Sequence, residues 1–230
     1  MIRPGTLRLG TIAGCAAVLS IGCAGQIRMG PALADPGAVA ARLYSRTAAE
    51  RPTFIRFQWD YADHNGRLRG DGVARINPPD KFRLDFFTTG EGSMSAVLAR
   101  DSLTTLGEIE DVQLPAPAFL YAMAGLFRPG APEPSRGFRS GDADVLVYET
   151  GGGATRFFFV AKERVVRLEE RAEGRVSRRI ELEWKGETGW PAEAEYRDNL
   201  TPSRARWRLI ERRTVPEPYA EAIFELEAPG

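Results

Sequence analysis

The sequence predicts a mainly β fold of short antiparallel strands, with helices confined to two places. Three observations carry this. From Thr53 onward the dominant hydrophobic period is two: Ile55, Phe57, Trp59 and Tyr61 alternate with Arg56, Gln58 and Asp60. Turn signals recur along the chain, and Asn65-Gly66 is the strongest of them for a hairpin. Helical spacing is confined to residues 36–50 and 118–127.

The first helix opens at Asp35-Pro36, with Asp35 placed to cap the free amides and Pro36 at the first helical position. Val39, Leu43 and Thr47 share one face, with Ala40 and Tyr44 beside them, and Pro52 marks the end. After the Asn65-Gly66 turn, Gly70, Gly72, Ala74 and Ile76 line one side of a second strand. A turn at Asn77-Pro78-Pro79-Asp80 leads into Phe82, Leu84 and Phe86, which alternate with Arg83 and Asp85. Gly90-Glu91-Gly92 turns the chain into Met94, Ala96 and Leu98, and Asp101 separates these from a strand over 103–106. Pro115-Ala116-Pro117 opens the uncharged segment 118–127, which is too short to span a bilayer. Residues 128–140 are the most loop-like stretch of the interior.

Strands resume near Val145 and Val147, then over 157–160 and 165–169. Further alternating sets are Val176, Ile180, Leu182 and Trp184; Ala192, Ala194 and Tyr196; Ala205, Trp207 and Leu209; and Ala222, Phe224 and Leu226. This makes about ten or eleven strands, each with one buried and one wet face. So many antiparallel strands curl into a barrel or split into a sandwich to remove their edges, and the helices plug or cover the concave side. No repeat of 20–50 residues is visible, which argues against a propeller or solenoid.

Composition removes several classes of function. The chain of 230 residues carries 31 basic and 31 acidic side chains, so nothing electrostatic points to nucleic acid. A single histidine, His64, sits in the turn sequence Ala62-Asp63-His64-Asn65-Gly66. Without further His or Cys there is no zinc ligand set and no histidine base for a serine or cysteine nucleophile. No glycine-rich phosphate loop or nucleophile elbow is present, and no metal or cofactor is expected. Paired carboxylates among Asp60, Asp63, Asp71 and Asp85 would be the remaining route to hydrolysis. All four lie in turns or on outward strand faces, where solvated charge is the ordinary state.

Both cysteines fall near the N-terminus. Arg3 and Arg8 precede an apolar stretch that ends Val18-Leu19-Ser20-Ile21-Gly22-Cys23, with no acidic residue before it. A basic start, an apolar core and a small residue make a secretory signal peptide. With Cys23 directly after Gly22, the segment resembles a bacterial lipoprotein signal. That resemblance implies removal of residues 1–22 and lipidation of Cys23, followed by a flexible tether to residue 35. Ile12-Ala13-Gly14-Cys15 is a closer local match, but Arg8 stands too near Cys15 to leave the ~7–15 apolar residues an export signal requires.

Several local patterns resemble the LolA/LolB superfamily of periplasmic lipoprotein carriers and receptors. One is the strand, proline turn and aromatic-Arg-Leu strand over Gly72-Val73-Ala74-Arg75-Ile76-Asn77-Pro78-Pro79-Asp80-Lys81-Phe82-Arg83-Leu84-Asp85. Another is Leu114-Pro115-Ala116-Pro117, an apolar helix, then Gly125-Leu126-Phe127-Arg128-Pro129-Gly130. The resemblance covers residues 36–228 as a single domain. It implies a half-open antiparallel β-barrel whose concave face is closed by helices, with acyl chains held between them. The residues this assigns to the cavity or its lid are Phe57, Trp59, Phe82, Leu84, Phe86, Leu98, Phe119, Leu120, Met123, Trp184 and Trp207. Receptors of this kind touch the bilayer with an apolar residue on a protruding hairpin, and the candidate here is Met94 in the turn 88–95. The anchor at Cys23 favours the receptor-like form, and Ala24 in place of an inner-membrane retention aspartate implies the periplasmic face of the outer membrane. The implied partners are an acylated lipoprotein or lipid and a soluble periplasmic carrier. The competing expectation is a solid β scaffold for an envelope complex, with those aromatics filling its core.

Overall fold

The structure, a computed structural model, describes residues 27–226 apart from positions 80, 91, 110, 111, 132, 187 and 188. Cys15 and Cys23 lie outside the described residues. In chain order the elements are α1 (Pro36–Thr47), β1 (Thr53–Ala62), β2 (Arg67–Asn77), β3 (Lys81–Thr88), β4 (Ser93–Ala99), β5 (Ser102–Gly107), α2 (Pro117–Met123), β6 (Arg136–Ser140), β7 (Ala143–Glu149), β8 (Thr155–Ala161), β9 (Arg164–Ala172), β10 (Arg175–Glu183), β11 (Glu193–Asp198) and β12 (Ser203–Thr214).

All twelve strands belong to one sheet in the order β5-β4-β3-β2-β1-β12-β11-β10-β9-β8-β7-β6. Two meanders, β1 to β5 and β6 to β12, are joined through the antiparallel pair β1–β12, in which Trp59 faces Trp207. Strands β5 and β6 do not pair with each other, so the sheet curls without closing. The chain has the half-open antiparallel architecture expected of it, with twelve strands rather than ten or eleven. The additional strand, β6, lies in the stretch that reads as a loop, because Arg136-Gly137-Phe138-Arg139-Ser140 offers one large apolar residue and no visible alternation.

Other boundaries also move. Asp35 caps α1 as expected, accepting a hydrogen bond from the Ala38 amide at 2.8 Å. The helix stops at Thr47, before Pro52, because Ala48 is already extended. Residues 221–224, which alternate like a strand, form a short 3-10 turn on the outer face of the sheet. Their approach is held by Asn77, which donates to the Tyr219 carbonyl (2.8 Å) and accepts from its amide (3.0 Å), and by Arg83, which donates to the Ile223 carbonyl. Such long-range bonds are invisible to a periodicity argument. At the other end, residues 30–33 of the segment read as a tether run along β6. The Gly30 amide donates to the Arg139 carbonyl (2.7 Å) and the Leu33 amide to the Gly137 carbonyl (2.9 Å), which covers an otherwise open sheet edge.

The concave face is apolar, as the alternation dictates. Gly72 shows how tightly it is filled: a Cβ there would come within 2.3 Å of the Phe57 ring, which lies across the glycine of the neighbouring strand. Phe57 in turn stacks on Trp207 with ring centroids 4.5 Å apart, and Phe86 packs edge-on to Phe57 and Trp59. The helix α2 is buried on all sides from Ala118 to Met123, as an uncharged helix must be. Phe119 packs against Tyr196 of β11, and Tyr121 stacks on Phe82 of β3, so the helix bridges the two meanders from inside.

The outer face carries cross-strand ion pairs. Glu195 is held by Arg197 (2.6 Å), Arg204 (2.8 Å) and Arg206 (3.1 Å). Partial burial works against its charge, but these three guanidinium groups outweigh it and bring the Glu195 pKa down to about 2. A carboxylate depressed in the folded state contributes stability above its unfolded pKa and loses it as pH falls through the folded one. The Glu195 contribution is therefore complete above about pH 4.5 and disappears between there and about pH 2. In urea titrations at successive pH values, Glu195→Gln lowers stability by about 1 kcal/mol at pH 7 and leaves it unchanged at pH 2. In the same assay Gly72→Val, which drives a side chain into the Phe57 ring, costs about 1–3 kcal/mol at every pH.

Candidate functional site

The opening between the unpaired edges is occupied by α1 and by the chain that follows α2. Between them lies a cleft of about 570 Å³. Its walls are Gly37, Ala40, Ala41 and Tyr44 of α1 on one side and Phe127, Arg128 and Gly130 on the other. Tyr121 lines it from α2, and Arg100, Asp101 and Glu133 add charge at its margin. Small residues on α1 create the space: Gly37, Ala40 and Ala41 present no bulk where a leucine would fill it.

One hydroxyl ties the two walls together. Thr47 donates to the Leu43 carbonyl at 2.9 Å within α1 and accepts from the Phe127 amide at 3.0 Å. Gly125, with φ of 73°, turns the chain out of α2 in a conformation that glycine adopts without strain. Arg128 then lies over the Tyr44 ring, its guanidinium carbon 4.1 Å from the ring centre, and closes one end of the cleft. Behind the cleft, Phe127 packs with Phe158 and Tyr148. The Tyr148 hydroxyl is buried there without a hydrogen-bond partner, and burial raises its pKa.

The same side of the sheet also carries a chain of paired charges. Arg156 donates to Glu170 (2.9 Å), Arg178 donates to Glu170 (2.8 Å) and to Asp198 (3.0 Å), and the Tyr196 hydroxyl donates to Asp198 (3.0 Å). Burial disfavours the Asp198 charge, but Arg178, the amides of Leu200 and Thr201 and the Tyr196 hydroxyl together hold its pKa below the ordinary value. Arg156 also reaches the Pro129 carbonyl at 3.4 Å, so the network abuts the cleft wall. A buried ion chain of this kind is stable because every carboxylate in it is paired.

The expected cavity residues are brought together, packed against one another with little free space among the described residues beside Phe57, Met123 and Trp207. Phe57, Trp59, Phe82, Leu84, Phe86, Leu98 and Trp207 all face inward and are buried against one another. Phe119, Leu120 and Met123 are buried too, so α2 is an internal plug and not a surface lid. The free space left beside Phe57, Met123 and Trp207 is about 20 Å³. Trp184 is half-buried and packs against the same core, donating to the Val165 carbonyl at 2.9 Å. Met94 does not protrude: it lies within β4 opposite Phe86 and Gly107 and is buried, because the strand begins earlier than the glycine-rich turn suggests. The apolar side chain exposed near that turn is Phe87. Of the acids considered for hydrolysis, Asp60 pairs with Arg67, Asp63 accepts from the Asn65 and Gly66 amides, and Asp85 is held by Arg75, Arg83 and Ser95. Asp71 is exposed. Among the described residues no group of His, Cys, Asp or Glu could hold a metal ion. The cleft itself was not anticipated, although two of its signals were legible: Tyr44 beside the apolar face of the first helix, and the Gly125–Gly130 segment after the second.

No protein-family model matches the sequence, and no curated protein matches it either. Solved structures match through their folds. A LolA superfamily protein from Nitrosomonas europaea superposes with a TM-score of 0.52 at 12% identity, over 83% of this chain and 97% of that one. The fold is LolA-like. An outer membrane lipoprotein-sorting protein domain from Vibrio parahaemolyticus gives the same TM-score of 0.52 at 10% identity, covering 83% and 96% of the two chains. A DUF1329 family protein from Desulfovibrio piger gives 0.52 at 8% identity, covering 83% and 95%. Nearly the whole of each of these chains is thus matched. Within that fold Thr47 is the clasp of the cleft. Thr47→Val keeps the shape and deletes the acceptor, which strands the Phe127 amide at a cost of about 1–3 kcal/mol; hydrogen exchange at that amide accelerates accordingly.

Proposed function

We propose that this chain is a lipid-anchored, non-catalytic envelope protein that takes up acyl chains of lipoproteins or lipids and helps deliver them to the outer membrane. The observation that carries this reading is the cleft of about 570 Å³ between α1 and the chain after α2, in a LolA-like fold. Its volume lies within the ~300–1,000 Å³ of ligand sites, and its inner wall of Ala40, Tyr121 and Phe127 is buried and mostly apolar. Each methylene moved into such a site gains about 0.8 kcal/mol. Charged groups at the margin suit the polar head of an amphiphile. Lipidation at Cys23 supplies the anchor, the periplasmic face of the outer membrane the location, and a soluble periplasmic carrier the donor of the cargo.

A second reading has its own support. The concave aromatics fill their space, which suits a solid scaffold as well as a carrier. Native mass spectrometry with lipid extraction, on protein purified from the cell envelope, separates the two. The carrier reading expects a stoichiometric acyl species, lowered about tenfold in occupancy by Ala41→Trp, which fills the cleft from an exposed position on α1. A clean apo mass that incubation with phospholipid and acylated peptide leaves unchanged would establish the scaffold.

A further inference from the structure

A second large concavity lies on the outer face, over β9, β10 and β11, with a volume of about 670 Å³. Arg28, Arg167, Arg175, Arg179 and Arg197 line it, and Glu169 is its one carboxylate among the described residues. Glu169 is already engaged by Arg171, which donates to it from Nε at 3.1 Å and Nη2 at 2.8 Å. Arg197 leans on Glu195 and Arg179 on Glu181, both outside the cleft. Arg28 and Arg175 have no carboxylate partner among the described residues. With five guanidinium groups against one carboxylate among its described lining residues, the concavity is strongly cationic.

Arg167 shows that the excess is built in. Its guanidinium lies 3.6 Å from the centre of the Phe159 ring, half-buried. Its Nε is buried without a hydrogen bond, although Glu169 is 3.5 Å away. Burial lowers its pKa more than any neighbouring charge does. A guanidinium half withdrawn from water, with one 3.5 Å ion pair to a carboxylate that Arg171 already holds, gains from a further acceptor.

Position decides which acceptor. The cleft is bounded by Ile27 and Arg28, where the described chain begins. Ile27 packs on an outer apolar cluster of Phe138, Val145, Val147 and Phe159. Three residues separate Cys23 from Ile27, and the four steps between them reach at most about 14 Å. An anchor at Cys23 therefore holds this cleft against the membrane surface. We propose that the cleft binds the phosphate headgroup of an anionic membrane lipid and so orients the domain, with this face towards the bilayer. The proposal rests on the anchored reading above, and its test is independent of the anchor.

The test uses the full chain carrying Cys23→Ala, which removes the acceptor thiol, in sedimentation with phosphatidylglycerol or phosphatidylcholine vesicles. Binding is expected to the anionic vesicles and not to the zwitterionic ones. Arg175→Gln with Arg179→Gln weakens it about thirtyfold, at about a factor of five per surface arginine. Arg208→Gln with Arg213→Gln, an equal loss of charge elsewhere on the outer face, changes it less than about threefold. Circular dichroism melting confirms that each variant is folded. Equal binding to both vesicle types, an unchanged Arg175/Arg179 variant, or an equal loss in the control pair overturns the proposal. A rise in melting temperature with millimolar inorganic phosphate, without vesicle binding, also overturns it, in favour of a free-anion site.

Discussion

A curled antiparallel sheet with two free edges has an apolar inner face that its own strands cannot cover. In this chain that constraint is met by α2, and the remaining features follow from it. The crossover from β5 to β6 carries the helix through the interior, where Phe119 meets Tyr196 on one meander and Tyr121 meets Phe82 on the other. No hydrogen bonds join β5 to β6, so these contacts are what keeps the open side together. An uncharged helix is tolerable only in that setting, and the setting exists only because the helix is uncharged.

The helix also determines where a ligand can go. Because α2 fills the centre, the inner aromatics act as packing, and on this side of the sheet a cleft of about 570 Å³ falls at the margin beside α1. The two helices thus divide the work. One is a plug with no polar side to show to water. The other is amphipathic, capped by Asp35, and presents glycine and alanine to the space it walls. The unpartnered Tyr148 hydroxyl behind Phe127 marks where the plug and the cleft meet.

The strands were legible in the sequence because period two survives wherever one face is wet, and β1 and the first half of β12 follow it closely. It failed where that condition failed. Along β7 and β8 the apolar run is nearly continuous, since Val145, Val147 and Phe159 are buried on the outer side as well. Edge strand β6 has no pattern to read, and residues 221–224 have the pattern without the strand. For the site, alternation tells which residues face inward, as with Phe57, Trp59, Phe82 and Phe86. Whether they enclose a space or fill it depends on ring geometry such as the Phe57–Trp207 stack, which sequence spacing does not encode. The arginine-lined cleft was equally hidden, because its members come from three strands and the segment ahead of α1.

The junction between β1 and β12 has a consequence for how the chain must be made. Strand β1 is complete at Ala62, but its partner on one side is Ser203–Thr214, near the other end of the chain. As the chain is synthesised from its N-terminus, the N-terminal meander is complete first and waits with the Thr53–Ala62 edge unpaired. Until the last strand arrives, that edge is a template for any other strand nearby. Closure also joins residues far apart in sequence, and pairing over such a separation is intrinsically slow. Arg56 and Asp60 on the exposed face of that edge put charge on the waiting strand, the kind of gatekeeping that keeps a nascent sheet from pairing with a stranger before its own final strand has been delivered.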